Sequence, residues 1–473
     1  MESSPTLLFH DYETWGVNPK LDFPVQFAAL RTNAALEVIG EPINFFCQIP
    51  NDYLPNPEAS LITGITPQAS LAKGMLETQF AEKVYQTMMI PQTCVVGYNN
   101  INFDDEVTRH LFYRNFLPVY EREYAHENSR WDIIDLVRAA YVLRPTSLNW
   151  CFTIDDVPSF KLEKLAEVNA IEHTNAHDAL SDVHATISLA KKIKSHAPDL
   201  YEYYFSLRHK AEVARQIDVS QLTPALYISG RISPAQGCAT WILPVCPHPN
   251  DKNSVIAIDL SKPLEPIFDI PVDALLTHQY SRDKSQDKPG LLNIKLNKCP
   301  FITSAKMLTP QHAERIGLDR NKCLDNYHKI KQHLHLVDKI KKAYHYNQVP
   351  VSDTDNVDVM LYERPFPSPE DKRNMQQIRN AEVPTYSELK TLFDDVLYHR
   401  QLFKFIGRNY PANFDEKGLQ RWQEYRRERL SQGDGCNSLT VFISSIESLA
   451  ATHSHHPKKV EILKKLYEYA QSI

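Results

Sequence analysis

What this sequence lacks narrows its class. No stretch of about 18 apolar residues occurs, so no membrane-spanning helix is expected. The opening residues, MESSPTLLFHDYET, carry no basic segment ahead of their apolar run, so no signal peptide is expected. The eight cysteines (47, 94, 151, 238, 246, 299, 323 and 436) are scattered, with no CxxC pair. That argues against a zinc cluster and a disulfide framework, and it suits a reducing, cytoplasmic location. A basic excess is missing too: the formal net charge is −6. This weighs lightly against a polyanion-binding protein, because a local basic groove is sufficient. Glycine is sparse at 13 residues, against 31 prolines and 23 tyrosines, which suggests a compact protein with stiff connections and many exposed rings.

At 473 residues the chain has room for two or three domains. Residues 6–14, 24–33 and 36–49 read as strands joined by short turns. A loop, SLITGITPQAS, and a helix near 75–90 follow, then a β-branched strand at 92–99. DDEVTRHLFYRNF (104–116) opens with acids and continues at helical spacing, as a helix N-terminus does. Two more helices are expected in SFKLEKLAEVNAI and DALSDVHATISLAKKIKSH, so this part reads as α/β. After Pro198 the pattern changes. Short β runs (LYISG, TWILP, SVIAIDL, LLNIKL) over 224–300 suggest a small barrel or sandwich. Helices are expected at 310–345, a proline-rich, acidic linker at 346–371, and helices again over 385–473.

The segment FHDYETWG (9–16) ends the apolar run TLLF with two carboxylates. A strand places i and i+2 on one face, so Leu7, Phe9, Asp11 and Glu13 align, with the acids only about 7 Å apart along the chain. Like charges this close raise each other's pKa unless a cation lies between them. Two solvated acids at an exposed strand end are the plain alternative. A site for a hard cation such as Mg²⁺ or Mn²⁺ needs further carboxylates. Asp104 stands where a strand meets a helix, and an Asp there is often only an N-cap. His177 and Asp182 are about 140° past one full helical turn from each other. They converge only if His177 lies in the loop and Asp182 in the second turn of the helix; Asp178 is then placed to cap it.

Taken in order, D-x-E-T, N-x-x-F-D and H-x-x-x-x-D resemble the DEDD superfamily of 3′→5′ exonucleases, in the subclass with a histidine five residues before the last Asp. Longer stretches, among them QFAALRT, LITGITP, GYNNINFDDEVTRHLFYRNF, NSRWDIIDLVRAAYVLRP, PSFKLEKL and NAHDALSDVHATI, are similar to the bacterial exonuclease I family, as are NKCP and CLDN further on. Trp15 stands where that family usually has Phe. Lys161 stands where it more often has Arg, which keeps the charge and loses a bidentate phosphate fork.

The resemblance implies an RNase-H-like exonuclease domain (5–195), an SH3-like β domain with a helical extension (198–350) and a helical C-terminal domain (355–473) closing a DNA groove. It implies a processive, single-strand-specific 3′→5′ exodeoxyribonuclease that releases 5′-mononucleotides in DNA repair and recombination. Two Mg²⁺ ions, replaceable by Mn²⁺, are expected on Asp11, Glu13 and Asp182, with Asp104 binding directly or through water and Asp105 as its alternative. His177 is the expected general base, since its ordinary pKa of about 6.5 suits proton acceptance at neutral pH. Lys161 is expected to neutralise the phosphate, with Glu13, Gly64 and Ile65 at the terminal nucleotide. Arg109, Tyr120, Tyr124 and Arg138 are expected along the single strand, where basic groups meet phosphates and rings stack on bases. Trp131 reads as core. Arg144 and Arg315 are candidate contacts for the acidic C-terminal tail of the single-stranded DNA-binding protein. A monomer with no membrane association is expected. The rivals are an RNA-trimming or proofreading exonuclease of the same superfamily and a non-catalytic single-strand-binding module. The roughly 280 residues beyond Pro198 argue against the first, and the presence of every catalytic residue type argues against the second.

Overall fold

The computed structural model describes residues 5–173, 178–283, 285, 287–346, 355–382 and 384–473. They form two compact units. One takes in the described residues of Met1–Ser129, Thr174–His184 and Val351–Ile473; the other takes in those of Arg130–His173 and Ala185–Pro350.

In the first unit β1 (Thr6–Thr14) lies between two partners, antiparallel to β2 (Pro24–Thr32) and parallel to β4 (Thr93–Gly97). Beyond β2 runs β3 (Ile43–Phe46). Strands covered on both faces read as near-continuous apolar runs, and Leu7, Leu8 and Phe9 are all buried. The strand expected over 36–49 is shorter than its apolar pattern suggests. A turn intervenes, with Leu36 at φ 66° and the Asn33 side chain accepting from the Glu37 amide at 3.0 Å.

The loop expected over residues 60–70 is instead part of two short helices, α1 (Pro57–Thr63) and α2 (Pro67–Lys73). Each starts on proline, whose missing N–H costs nothing there. Asn56 caps α1 and Thr66 caps α2. Gly64, at φ 72°, ends α1 in the left-handed conformation that glycine adopts without strain. Two longer helices, α3 (Glu77–Met88) and α4 (Asp104–Arg114), complete the main core around this sheet. Phe80, Val84 and Met88 of α3 and Val107, Leu111 and Phe112 of α4 pack with Leu8, Tyr12, Phe27 and Phe45 of the sheet.

The C-terminal helices belong to this unit and share its interior. Leu430, Phe442, Ile446, Leu463 and Leu466 form one cluster with Trp15, Phe23, Val25, Tyr53 and Leu54. Phe116 is enclosed by Ile378, Phe393, Leu402, Phe405 and Ile406. Charges join the same parts. Asp52 accepts from Arg408 Nη2 at 2.9 Å and Arg429 Nη1 at 2.6 Å. Asp358 accepts from Arg408 Nη2 at 2.7 Å and Lys404 Nζ at 3.2 Å. All five side chains are buried. Burial alone would raise the Asp52 carboxyl, but Arg408 and Arg429 outweigh it and hold it at about 2.

The second unit carries a five-stranded antiparallel sheet. Its order is Leu291–Lys295, Ser254–Asp259, Ala239–Pro247, Ala225–Ile228 and Phe301–Ser304. Four of these match the β runs of the sequence. The fifth, FITS, follows Pro300 and is too short to show an alternating pattern. Trp131 is fully buried among the rings of Tyr201, Tyr204 and Phe205, as its core assignment requires.

Removing one partner of a buried ion pair leaves an uncompensated charge, at a cost of about 3–5 kcal/mol. Asp52→Ala, which leaves Arg429 without its nearest carboxylate and Arg408 with Asp358 alone, is therefore expected to lower the stability of the first unit by about that much. Denaturant unfolding followed by near-UV circular dichroism measures it. A loss below about 1 kcal/mol would mean that the apolar clusters alone hold the C-terminal helices in place.

Candidate active site

The period-2 geometry of β1 puts Asp11 and Glu13 on one face, opposite Ala28 and Gln26 of β2. A register shift between Glu13 and Thr14 ends the regular pairing just past the second acid. Asp182 arrives from the helix Ala179–His196, in its first turn rather than the expected second. Carboxylate oxygens of Asp11, Glu13 and Asp182 all lie within 4.8 Å of one another, and among the described residues no other three His, Cys, Asp or Glu side chains converge in this way.

Asp104 joins from a third direction. It is the first residue of α4, where Phe103 and not Asp104 occupies the cap position. Its Oδ1 accepts from the Tyr12 amide at 3.2 Å, the peptide N–H between the two β1 acids. Asp105, the alternative, points elsewhere: it is fully buried and accepts from Arg122 Nη2 at 2.8 Å. Successive helical residues are 100° apart, so only one of the pair can face β1.

The sequence assigned Asp178 only a capping role. The structure brings its carboxylate to Gln26 Nε2 at 3.2 Å, beside the β2 position that faces Glu13. The only available signal was the four-residue spacing Asp178–Asp182, which places both on one helical side.

The electrostatics are those of crowded like charges. Burial, then Asp104, Glu13, Asp182 and Asp178, hold the Asp11 carboxyl well above the ordinary carboxylate range. Burial, then Asp182, Asp104 and Asp178, push Glu13 up to about 9. Among the described residues, the leading influences on these two groups are burial and other carboxylates. An all-oxygen donor set of crowded carboxylates fits hard divalent cations, and divalent metal use follows from that donor chemistry.

The remaining expected residues divide. His177 lies outside the described residues. Gly64 is exposed at the end of α1, and Ile65 is half-buried against the cluster formed with the C-terminal helices. Tyr124 is exposed, at 65%. Tyr120 is half-buried, its ring 5.5 Å from the Arg109 guanidinium and 5.8 Å from the Phe366 ring. Arg109 is buried, forks onto Glu123 at 2.8 and 3.0 Å, and binds Glu106 at 2.7 Å and Tyr362 Oη at 3.2 Å. In the second unit, Lys161 is exposed, with Nζ 4.0 Å from Glu163. Arg138 is largely buried and bonds Asp135 at 2.6 Å. Arg315 donates to the Tyr141 carbonyl and lies over its ring at 4.2 Å, while Arg144 donates to the Leu143 carbonyl at 2.8 Å. Burial, then Arg315 and Arg144, lower the pKa of His312, which lies near both.

Comparison with known proteins agrees with this arrangement. Family models described as exonuclease, exonuclease I SH3-like domain and exonuclease I C-terminal domain match residues 8–190, 208–346 and 355–473. The chain is 40% identical over 471 residues to exodeoxyribonuclease I of Escherichia coli K12, covering 99% of this chain and 98% of the relative. The crystal structure of E. coli exonuclease I in complex with a dA16 oligonucleotide aligns with a TM-score of 0.94 at 39% identity, over 99% of this chain and 100% of that one. An SSB/exonuclease I structure in complex with the inhibitor CFAM aligns at 0.91 with 38% identity, over 99% and 100%. A chain matched along nearly its whole length by these models and relatives, with the acids gathered as that chemistry demands, belongs to the exodeoxyribonuclease I family of exonucleases.

Proposed function

We propose that the chain hydrolyses single-stranded DNA from its 3′ end, processively and as a monomer, releasing 5′-mononucleotides in DNA repair and recombination. The observation that carries this reading is the convergence of Asp11, Glu13 and Asp182 within 4.8 Å, with Asp104 on the Tyr12 amide beside them. The whole-length match to exodeoxyribonucleases supports DNA as substrate and does not favour an RNA-trimming role.

Asp11, Glu13 and Asp182 would hold two Mg²⁺ ions, for which Mn²⁺ substitutes, with Asp104 a ligand directly or through water. When bound, the ions supply Lewis acidity toward the scissile phosphate and its leaving oxygen. The residues themselves supply the rest. Glu13 borders the terminal nucleotide together with the α1 end at Gly64 and Ile65. His177 takes the proton of the attacking water. Lys161, exposed on its unit, offsets the negative charge of the phosphate. Tyr120 and Tyr124 stack on bases, and Arg109 and Arg138 sit along the strand. Arg144 and Arg315 receive the acidic tail of the single-stranded DNA-binding protein, a partner suggested by the relative solved as an SSB/exonuclease I structure.

Asp182→Ala is expected to lower Mg²⁺-dependent turnover on a 3′-tailed single strand by orders of magnitude while strand binding survives; near-normal turnover would mean that the site is misassigned. His177→Ala should cost about 10²–10⁴-fold at neutral pH, the range for losing a general base, and recover in part as hydroxide rises. Wild-type rates in that variant at pH 7 would remove His177 from the mechanism.

A third expectation concerns stability. Burial and the neighbouring acids hold Glu13 at about 9 in the folded chain, against an ordinary glutamate value of 4.5 when unfolded. Between those limits the folded state holds more protons, so stability falls as pH rises. In chelator, the melting temperature should therefore drop between pH 5 and pH 9. Millimolar Mg²⁺ should reduce the drop, as should Asp182→Asn, which removes one of the repelling charges. A chelated wild-type protein with the same pH slope as Asp182→Asn would show that the acids do not burden one another.

A further inference from the structure

Behind the acidic centre lies a second, fully buried set of polar groups in the same unit. Two of its members are chain neighbours of the expected ligands: His10 precedes Asp11, and Asp105 follows Asp104. Strand alternation turns His10 away from Asp11, between the rings of Tyr12 and Phe27, with Nδ1 2.9 Å from the Val96 carbonyl. Asp105 meets Arg122 Nη2 at 2.8 Å, and both are wholly buried. Arg122 comes from a 3₁₀ turn, Glu121–Glu123, and its Nη2 is also 3.9 Å from Glu123.

The backbone around Asp105 is held as firmly as its side chain. Its amide donates to the Asn100 carbonyl at 2.8 Å, and that of Phe103 donates to the same oxygen at 3.3 Å. Asn100 is itself fully buried against Gly97, where a side chain would come within 2.7 Å of the Asn100 Cβ and 3.1 Å of the His10 carbonyl. Gly97 thus lets the loop before α4 lie directly on β1. His10 Nε2, both polar side-chain atoms of Asn100, and Arg122 Nε and Nη1 have no protein partner. So polar an interior directly behind a catalytic sheet is not needed for stability, since apolar residues would fill it at lower cost.

We propose that Arg122 and Asp105 are a positioning pair for the acidic centre. The ion pair fixes the rotation of the first turn of α4, so that Asp104 is presented to the Tyr12 amide while Asp105 is kept off the cations and electrically neutralised. Four carboxylates already crowd Asp11; an unpaired fifth one residue from Asp104 would compete with it for the same cations. This rests on the reading that Asp11, Glu13, Asp104 and Asp182 hold divalent cations. Arg122 and Asp105 touch neither substrate nor cation, so they position and do not catalyse.

The test is a Mn²⁺ titration of the full-length chain by electron paramagnetic resonance, beside steady-state turnover on single-stranded DNA. Loss of a partner just outside the ligand set typically costs 10–100-fold in metal affinity or activity. Arg122→Met should weaken Mn²⁺ binding by that factor and lower kcat with little change in KM. Adding Asp105→Asn, which removes the released charge, should recover at least tenfold of the loss, a rescue that a merely structural defect would not show. Arg122→Lys keeps the charge without the planar fork and should fold even if Arg122→Met does not; a several-fold weakening is expected. Mn²⁺ affinity and kcat within threefold of the parent in both folded Arg122 variants would overturn the proposal. So would a double variant no better than the single one. Asp182→Ala serves as the control: if it too binds Mn²⁺ normally, the cation-site reading fails and takes the positioning pair with it, whereas loss of binding there with unaffected Arg122 variants sinks the pair alone.

Discussion

The mutual repulsion of closely packed carboxylates is the constraint on which the rest of this structure depends. Asp11 and Glu13 carry raised pKa values because burial and further acids act on them together. A protein gains nothing in stability from such a cluster. It persists because the surrounding framework over-determines it: a strand paired on both sides, a helix whose first residue grips the Tyr12 amide, and a second helix that brings Asp182 in its first turn. The same framework is reinforced far from the acids. The C-terminal helices share apolar clusters with the nuclease part, and the buried Asp52–Arg408–Asp358 network joins them in charge as well as in packing.

Charge is handled in two opposite ways within this one unit. Around Asp52 and Asp358, three basic side chains hold carboxylates ionised in the interior, an arrangement in which every acid has its partner. At β1, acids meet acids. The contrast is what marks the second cluster as a binding site and the first as framework, since burial alone describes both. Arg122 belongs to the boundary between them, neutralising the one acid next to the site that must not act there.

Much of this was legible in the sequence, and the parts that were not have identifiable reasons. Asp11 and Glu13 were readable because a strand has a period of 2 and the acids follow an apolar run. The order of an α/β part, a β part and a helical part was readable from the change of pattern after Pro198. Asp104 could not be separated from Asp105, because at a helix start the rotation of the first turn decides which residue faces the sheet, and that rotation is set by Arg122, 17 positions along. The ion pairs of Arg109 were half legible: its partner Glu106 at i−3 was visible, but Glu123 reaches it only through the fold. The loop expected at 60–70 hid parts of two helices of seven residues each, too short to show a hydrophobic period and betrayed only by their proline starts and their Asn56 and Thr66 caps. Asp178 was read only as a cap because its approach to Gln26 joins segments 152 residues apart.

The central claim is that these acids gather in order to hold divalent cations at a strand's 3′ end. Anomalous diffraction from crystals of the full-length chain soaked in Mn²⁺ tests it most directly. The account predicts scattering peaks bounded by Asp11, Glu13 and Asp182, with carboxylate oxygens at roughly 2.0–2.2 Å and, when a 3′ end is bound, a second peak about 3.5–4 Å from the first on the side of Asp104. Peaks absent from this cluster, or found on Asp105 in place of Asp104, would contradict it.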